Sequence, residues 1–128
     1  MNYLIVVDMQ NDFVSGALGT PEAVEIVPRV AERVAEGLSR GEEIIFTRDT
    51  HETDYLNTQE GKKLPVPHCI RGTAGWEIVP QLAEYAAGRT PVDKPTFGSR
   101  YLGAVLKARD EDLRKQGKPG VEKVTLIG

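Results

Sequence analysis

Tyr3-Leu-Ile-Val-Val-Asp8 opens the chain with five residues free of charge and then a carboxylate. So short a continuous run predicts a strand buried on both faces, as in parallel sheets covered by helices. Three further runs read as strands: Glu43-Ile-Ile-Phe-Thr47, the weaker Thr90-Pro-Val-Asp-Lys94, and Lys123-Val-Thr-Leu-Ile127. Between them, apolar residues recur at helical spacing. Ile26, Val27, Val30, Val34 and Leu38 predict a helix with Pro28 in its first turn and Gly41 as its stop. Trp76, Val79, Leu82, Ala83 and Ala86 predict a second, with Pro80 near its start and Trp76 in its core. Leu102, Val105, Leu106, Ala108 and Leu113 predict a third, followed by a turn over residues 117–120. Strands alternating with helices predict an α/β fold: three layers, α/β/α, around a parallel sheet. Residues 49–75 break the alternation. They are polar and rich in Thr, Pro and Gly, and a loop this long in a compact domain usually carries function.

The 128 residues suit one domain, residues 1–128. A chain this long buries about two-thirds of its unfolded surface, enough for a core without disulfides. Hydrophobic residues make up 40% and charged residues 27%, which excludes a disordered chain. The net charge is −3, and basic residues are interspersed with acids. No basic stripe offers itself to nucleic acid. The single cysteine, Cys69, can form no internal disulfide. The first apolar run is too short for a membrane span and lacks the flanks of a signal peptide. These features predict a cytoplasmic protein with neither a membrane nor a nucleic-acid partner.

Open parallel sheets place their sites at the carboxyl ends of the strands. Those ends deliver Asp8, then Asp49 and His51, then Lys94, then Gly128. At such a rim Asp8 is a candidate general base or acid, the alternative being a cap on backbone N–H groups. Asp12, in the turn Gln10-Asn-Asp12, reads as structural. Asp49 and His51, two apart in extended backbone, point to one side and make half of a divalent metal site. His68, stiffened by Pro65 and Pro67, is the other histidine, and Glu60 lies between the two. Both histidines also read as ordinary loop residues. Lys94 either holds a thiolate or positions a base, or forms a surface ion pair. Cys69 reads as buried filler. Phe13, beside the Asp8 rim, is the better aromatic candidate for stacking on a flat ligand.

Four segments, in chain order, resemble one family. Val7-Asp-Met-Gln-Asn-Asp-Phe13 resembles the opening signature of the isochorismatase-like cysteine hydrolases. Thr47-Arg-Asp-Thr-His51 and Pro67-His-Cys-Ile-Arg-Gly-Thr73 resemble the metal site of the nicotinamidase branch. Asp93-Lys-Pro-Thr-Phe97 resembles its lysine segment. The resemblance implies a Rossmann-like three-layer domain that hydrolyses a small amide. Asp8 and Lys94 take the catalytic roles. Phe13 lines the pyridine ring of the substrate. Asp49, His51 and His68, with Glu60 less securely, hold a divalent metal: zinc, with iron or manganese as alternatives. It further implies nicotinamide as substrate, a place in NAD salvage, and a homo-oligomer. The family nucleophile is a cysteine just after the strand at residues 123–127, so the pattern expects it beyond residue 128. It also expects this chain to be the N-terminal two-thirds of a domain, cut after the fourth strand and inactive alone. Cys69 matches a different family position. Competing readings are an amidase for a carbamoyl or ureido group, an isochorismatase acting on an ether-like bond, and a binding or scaffold domain without a nucleophile. A dinucleotide-binding domain fails, because no glycine-rich turn follows the first strand.

Overall fold

The computed structural model describes residues 1–95 and 99–128. Thr96 and Phe97 of the lysine segment lie outside the described residues. Strands β1 (Asn2–Val6), β2 (Glu43–Asp49), β3 (Val92–Lys94) and β4 (Lys123–Ile127) pair in parallel in the order β3-β2-β1-β4. The third strand is shorter than its sequence run, and the second runs two residues further, through Asp49. Each crossover carries a helix: α2 (Pro21–Ser39) between β1 and β2, α4 (Pro80–Ala86) between β2 and β3, and α5 (Arg100–Lys115) between β3 and β4. Leu4, Val6, Ile44 and Phe46 face one side and join Val27, Val30 and Val34 of α2 and Leu82 of α4 in one core. Tyr3 alternates to the other side, where the charge of Arg109 on α5 lies close to its hydroxyl. Helices therefore lie on both faces, although Val124 and Leu126 of β4 stay exposed on the Tyr3 face, and the three-layer parallel architecture is observed.

Three expectations are corrected. Pro28 is not in the first turn of its helix. Thr20 caps α2 by accepting a hydrogen bond from the Ala23 N–H at 3.0 Å, and Pro21 supplies the first helical residue. Pro28 is thus interior. The helix tolerates it because Pro28 and Val24, whose carbonyl loses its partner, both face solvent. Second, Trp76 is not in the core of α4. It ends a 3₁₀ turn, Ala74–Trp76, and α4 begins four residues later. Third, residues 49–75 are not structureless. They hold a 3₁₀ turn, Tyr55–Asn57, and helix α3 (Gln59–Lys63), which Thr58 caps by accepting from the Gly61 N–H. Among the described residues, no helix is long and apolar enough to cross a membrane.

Candidate active site and metal centre

Asp8 follows β1 with φ 51°, in the left-handed region that an aspartate tolerates better than most residues. Lys94, at the end of β3, donates from Nζ to Asp8 Oδ2 at 2.8 Å, and its side chain is 5% exposed. A buried lysine needs a counter-charge, and Asp8 supplies it. The pair is no surface ion pair.

Asp49 ends β2 beside Lys94, its register partner on β3. Its Oδ2 lies 3.0 Å from His51 Nε2 and 3.4 Å from His68 Nε2. All three side chains are buried, and one ligand atom from each falls within 4.8 Å of the others. The Val66 carbonyl accepts from His68 Nδ1 at 2.7 Å. That ring nitrogen therefore carries the proton, and in the neutral ring Nε2 turns a lone pair toward a carboxylate oxygen. Such facing lone pairs call for a cation between them, and a backbone carbonyl behind a histidine is the usual support for a metal ligand. Glu60, on α3, brings Oε2 to 3.0 Å from His51 Nε2, yet this buried oxygen makes no hydrogen bond. Two imidazoles and a carboxylate are donors suited to zinc. The donor set and the orphaned oxygen both fit a bound divalent cation. Glu60 adjoins the trio through His51 but stands outside the compact group of three.

Phe13, on α1 (Asn11–Val14), packs edge-on against His68 at 5.5 Å between ring centroids. Asp12 is structural, as expected: its Oδ2 accepts the Cys69 N–H at 2.8 Å. Cys69 stands in the left-handed backbone region. Its φ is 49°, and its carbonyl accepts from the His51 N–H. The thiol is fully buried, and burial, aided by Asp49 and Asp12, pushes it far above the ordinary thiol range. This burial agrees with the reading of Cys69 as buried filler.

Four residues that the sequence reading passed over shape this rim. Thr47 donates to Asp8 Oδ1 at 2.6 Å. Gln10, fully buried, accepts the Asp49 N–H at 2.8 Å and donates to the Asp49 carbonyl at 2.8 Å, so one side chain satisfies both backbone groups of Asp49. Tyr55 packs on both histidines, at 4.6 and 5.0 Å between centroids. Arg48 lays its guanidinium 3.8 Å from the Trp76 ring centroid and grips Asp93 with two hydrogen bonds, tying β2 to β3. Among the described residues, two cavities open here. One, of about 250 Å³, is lined by His51, Arg71, Asp93 and Lys94; the other, of about 730 Å³, by His51, Glu60, Lys63 and Leu64.

With this geometry in place, comparison with known proteins is decisive. The isochorismatase domain pattern matches residues 2–128. The chain belongs to the isochorismatase family. It is 30% identical over 111 residues to the nicotinamidase of Saccharomyces cerevisiae, an alignment covering 66% of this chain and 51% of the yeast protein. The chain thus spans about half the length of that relative. The pyrazinamidase of Pyrococcus horikoshii, solved in complex with zinc, superposes with a TM-score of 0.66 at 31% identity, covering 99% of this chain and 69% of that one. The N-carbamoylsarcosine amidase of Thermoplasma acidophilum superposes with a TM-score of 0.74 at 25% identity, covering 99% and 66%. These relatives are amidohydrolases of the same family.

Proposed function

We propose that this domain hydrolyses a small amide, with nicotinamide as the best-fitting substrate. The observation that carries the reading is the juxtaposition of two devices at one sheet edge. A cavity of about 250 Å³ is lined by both His51, of the Asp-His-His trio, and Lys94, of the acid–amine pair. Asp49, His51 and His68 hold a divalent metal, zinc by the donor set, with Glu60 as an additional carboxylate beside His51. When bound, the metal supplies a positive anchor for the ring nitrogen of a pyridine amide.

Asp8 acts as the proton carrier. It takes the proton of an attacking cysteine thiol, which the family pattern expects beyond Gly128, and gives it to the departing ammonia as the amide C–N bond breaks. It then takes a proton from the water that attacks the thioester and returns it to the sulfur as the C–S bond breaks, which releases the carboxylic acid and restores the thiol. Lys94 gives the Asp8 carboxylate a counter-charge and favours the thiolate by its own charge. Phe13, packed on His68, forms an apolar wall for a flat ring. A second reading, hydrolysis of a carbamoyl group, draws on the likeness to the carbamoylsarcosine amidase. The trio favours the pyridine amide, because such a ring offers a nitrogen to the metal and a carbamoyl group does not.

The test is ammonia release from nicotinamide by the full-length protein and by its Asp8→Asn variant. Asparagine keeps the shape and tolerates the left-handed backbone but cannot take a proton. Turnover should fall at least about a hundredfold. A variant that retains near-normal turnover defeats the assignment of Asp8, and wild-type protein that releases ammonia only from carbamoyl substrates supports the second reading.

A further inference from the structure

We infer that Thr47 is the positioning residue of the Asp8 carboxylate, and that its hydroxyl, as much as Lys94, makes this acid fit for proton transfer. The inference rests on the reading of Asp8 as the proton carrier. A carboxylate on a single-bond stem turns freely unless both oxygens are engaged. Here they are. Oδ2 takes Lys94 Nζ at 2.8 Å, and Oδ1 takes the Thr47 hydroxyl at 2.6 Å, a short bond of the kind made to a charged acceptor. The same hydroxyl oxygen accepts the Asp8 N–H at 3.2 Å, so Thr47 closes a ring with the backbone and side chain of one residue.

Thr47 is itself rigid. It lies inside β2, is 2% exposed, and is β-branched, which restricts its first side-chain torsion. Its single proton is committed to Asp8, because an ionised carboxylate oxygen can only accept. β2 therefore sets the acid through Thr47 and delivers Asp49 two residues later. One strand thus fixes the distance between the proton carrier and the proposed metal site. A proton carrier misplaced by about 1 Å can cost about a hundredfold in rate, so such a device is worth having.

Thr47→Val keeps size and β-branching and removes the hydroxyl. The turn at Asp8 should survive, since the Asp8 N–H also reaches the Thr47 backbone carbonyl at 3.2 Å. In the full-length protein with nicotinamide, Thr47→Val should lower kcat by about 10- to 100-fold and leave KM within about twofold. Thr47→Ser, which restores the hydroxyl, should recover kcat to within about threefold of wild type. A crystal structure of Thr47→Val should show the Asp8 carboxylate turned or split between two orientations. Wild-type kcat in Thr47→Val, an equal loss in Thr47→Val and Thr47→Ser, or an unmoved carboxylate in the crystal would each overturn the inference. Asp8→Asn, assayed alongside, separates the two levels. An inactive Asp8→Asn with a normal Thr47→Val sinks only the role of Thr47. An active Asp8→Asn sinks the role of Asp8 and that of Thr47 with it.

Discussion

Each buried charge at this rim is matched by a group that arrives from another part of the chain. Lys94 reaches Asp8 across 86 positions of sequence, and Asp12 holds the Cys69 N–H across 57. The second contact fixes the residue after His68, so an aspartate of α1 helps to aim a histidine of the trio. Gly75 permits this arrangement, because a Cβ there would collide with the Asp12 carboxylate. The three ligand atoms of Asp49, His51 and His68 form the tight group, with Glu60 touching only His51. The variants should differ accordingly. His51→Ala should abolish stoichiometric zinc binding in purified protein. Glu60→Gln should weaken it by only about 10- to 100-fold, the cost usual for a supporting residue. Elemental analysis and competition with a chelator read both. Equal losses would make Glu60 a full ligand, and zinc retained by His51→Ala would contradict the site.

At the scale of elements, sequence and structure part company at boundaries. The apolar spacing of α2 locates the middle of its buried face: Val27, Val30 and Val34 are buried, whereas Ile26 and Leu38 at the ends of the stripe are exposed. Spacing does not locate its start. That is set by Thr20 and Pro21, six and five residues before the first residue of the apolar stripe, where capping chemistry and not burial decides. Thr20→Ala should therefore cost about 1 kcal/mol of stability, read as a shift in the denaturant midpoint at unchanged slope. No change would return the start of the helix to its apolar stripe. Trp76 shows the opposite failure. It fits the spacing of the following helix, yet its indole N–H donates to the Thr50 hydroxyl at 2.9 Å and its ring carries Arg48. A partner 26 positions away outweighs a local pattern.

Across the whole molecule, the sheet order β3-β2-β1-β4 brings the strand ends carrying Asp49 and Lys94 side by side, with Asp8 held at the end of the neighbouring strand. Charged and imidazole groups at strand ends were legible because an apolar strand followed by an ionisable residue is a local signal. Thr47, Gln10 and Tyr55 were not, because a neutral side chain shows its role only through its partner. Thr47 and Gln10 each meet theirs 39 positions away. The fold class was legible for the same reason as the charged site: alternation of strands and helices is written along the chain. The central claim is that this edge gathers a divalent cation beside an acid–amine pair. Anomalous X-ray diffraction across the zinc edge, on crystals of the purified full-length protein supplied with zinc, tests it most directly. The account predicts one strong peak in contact with Asp49 Oδ2, His51 Nε2 and His68 Nε2; density without a peak there, or a peak only at other residues, would contradict it.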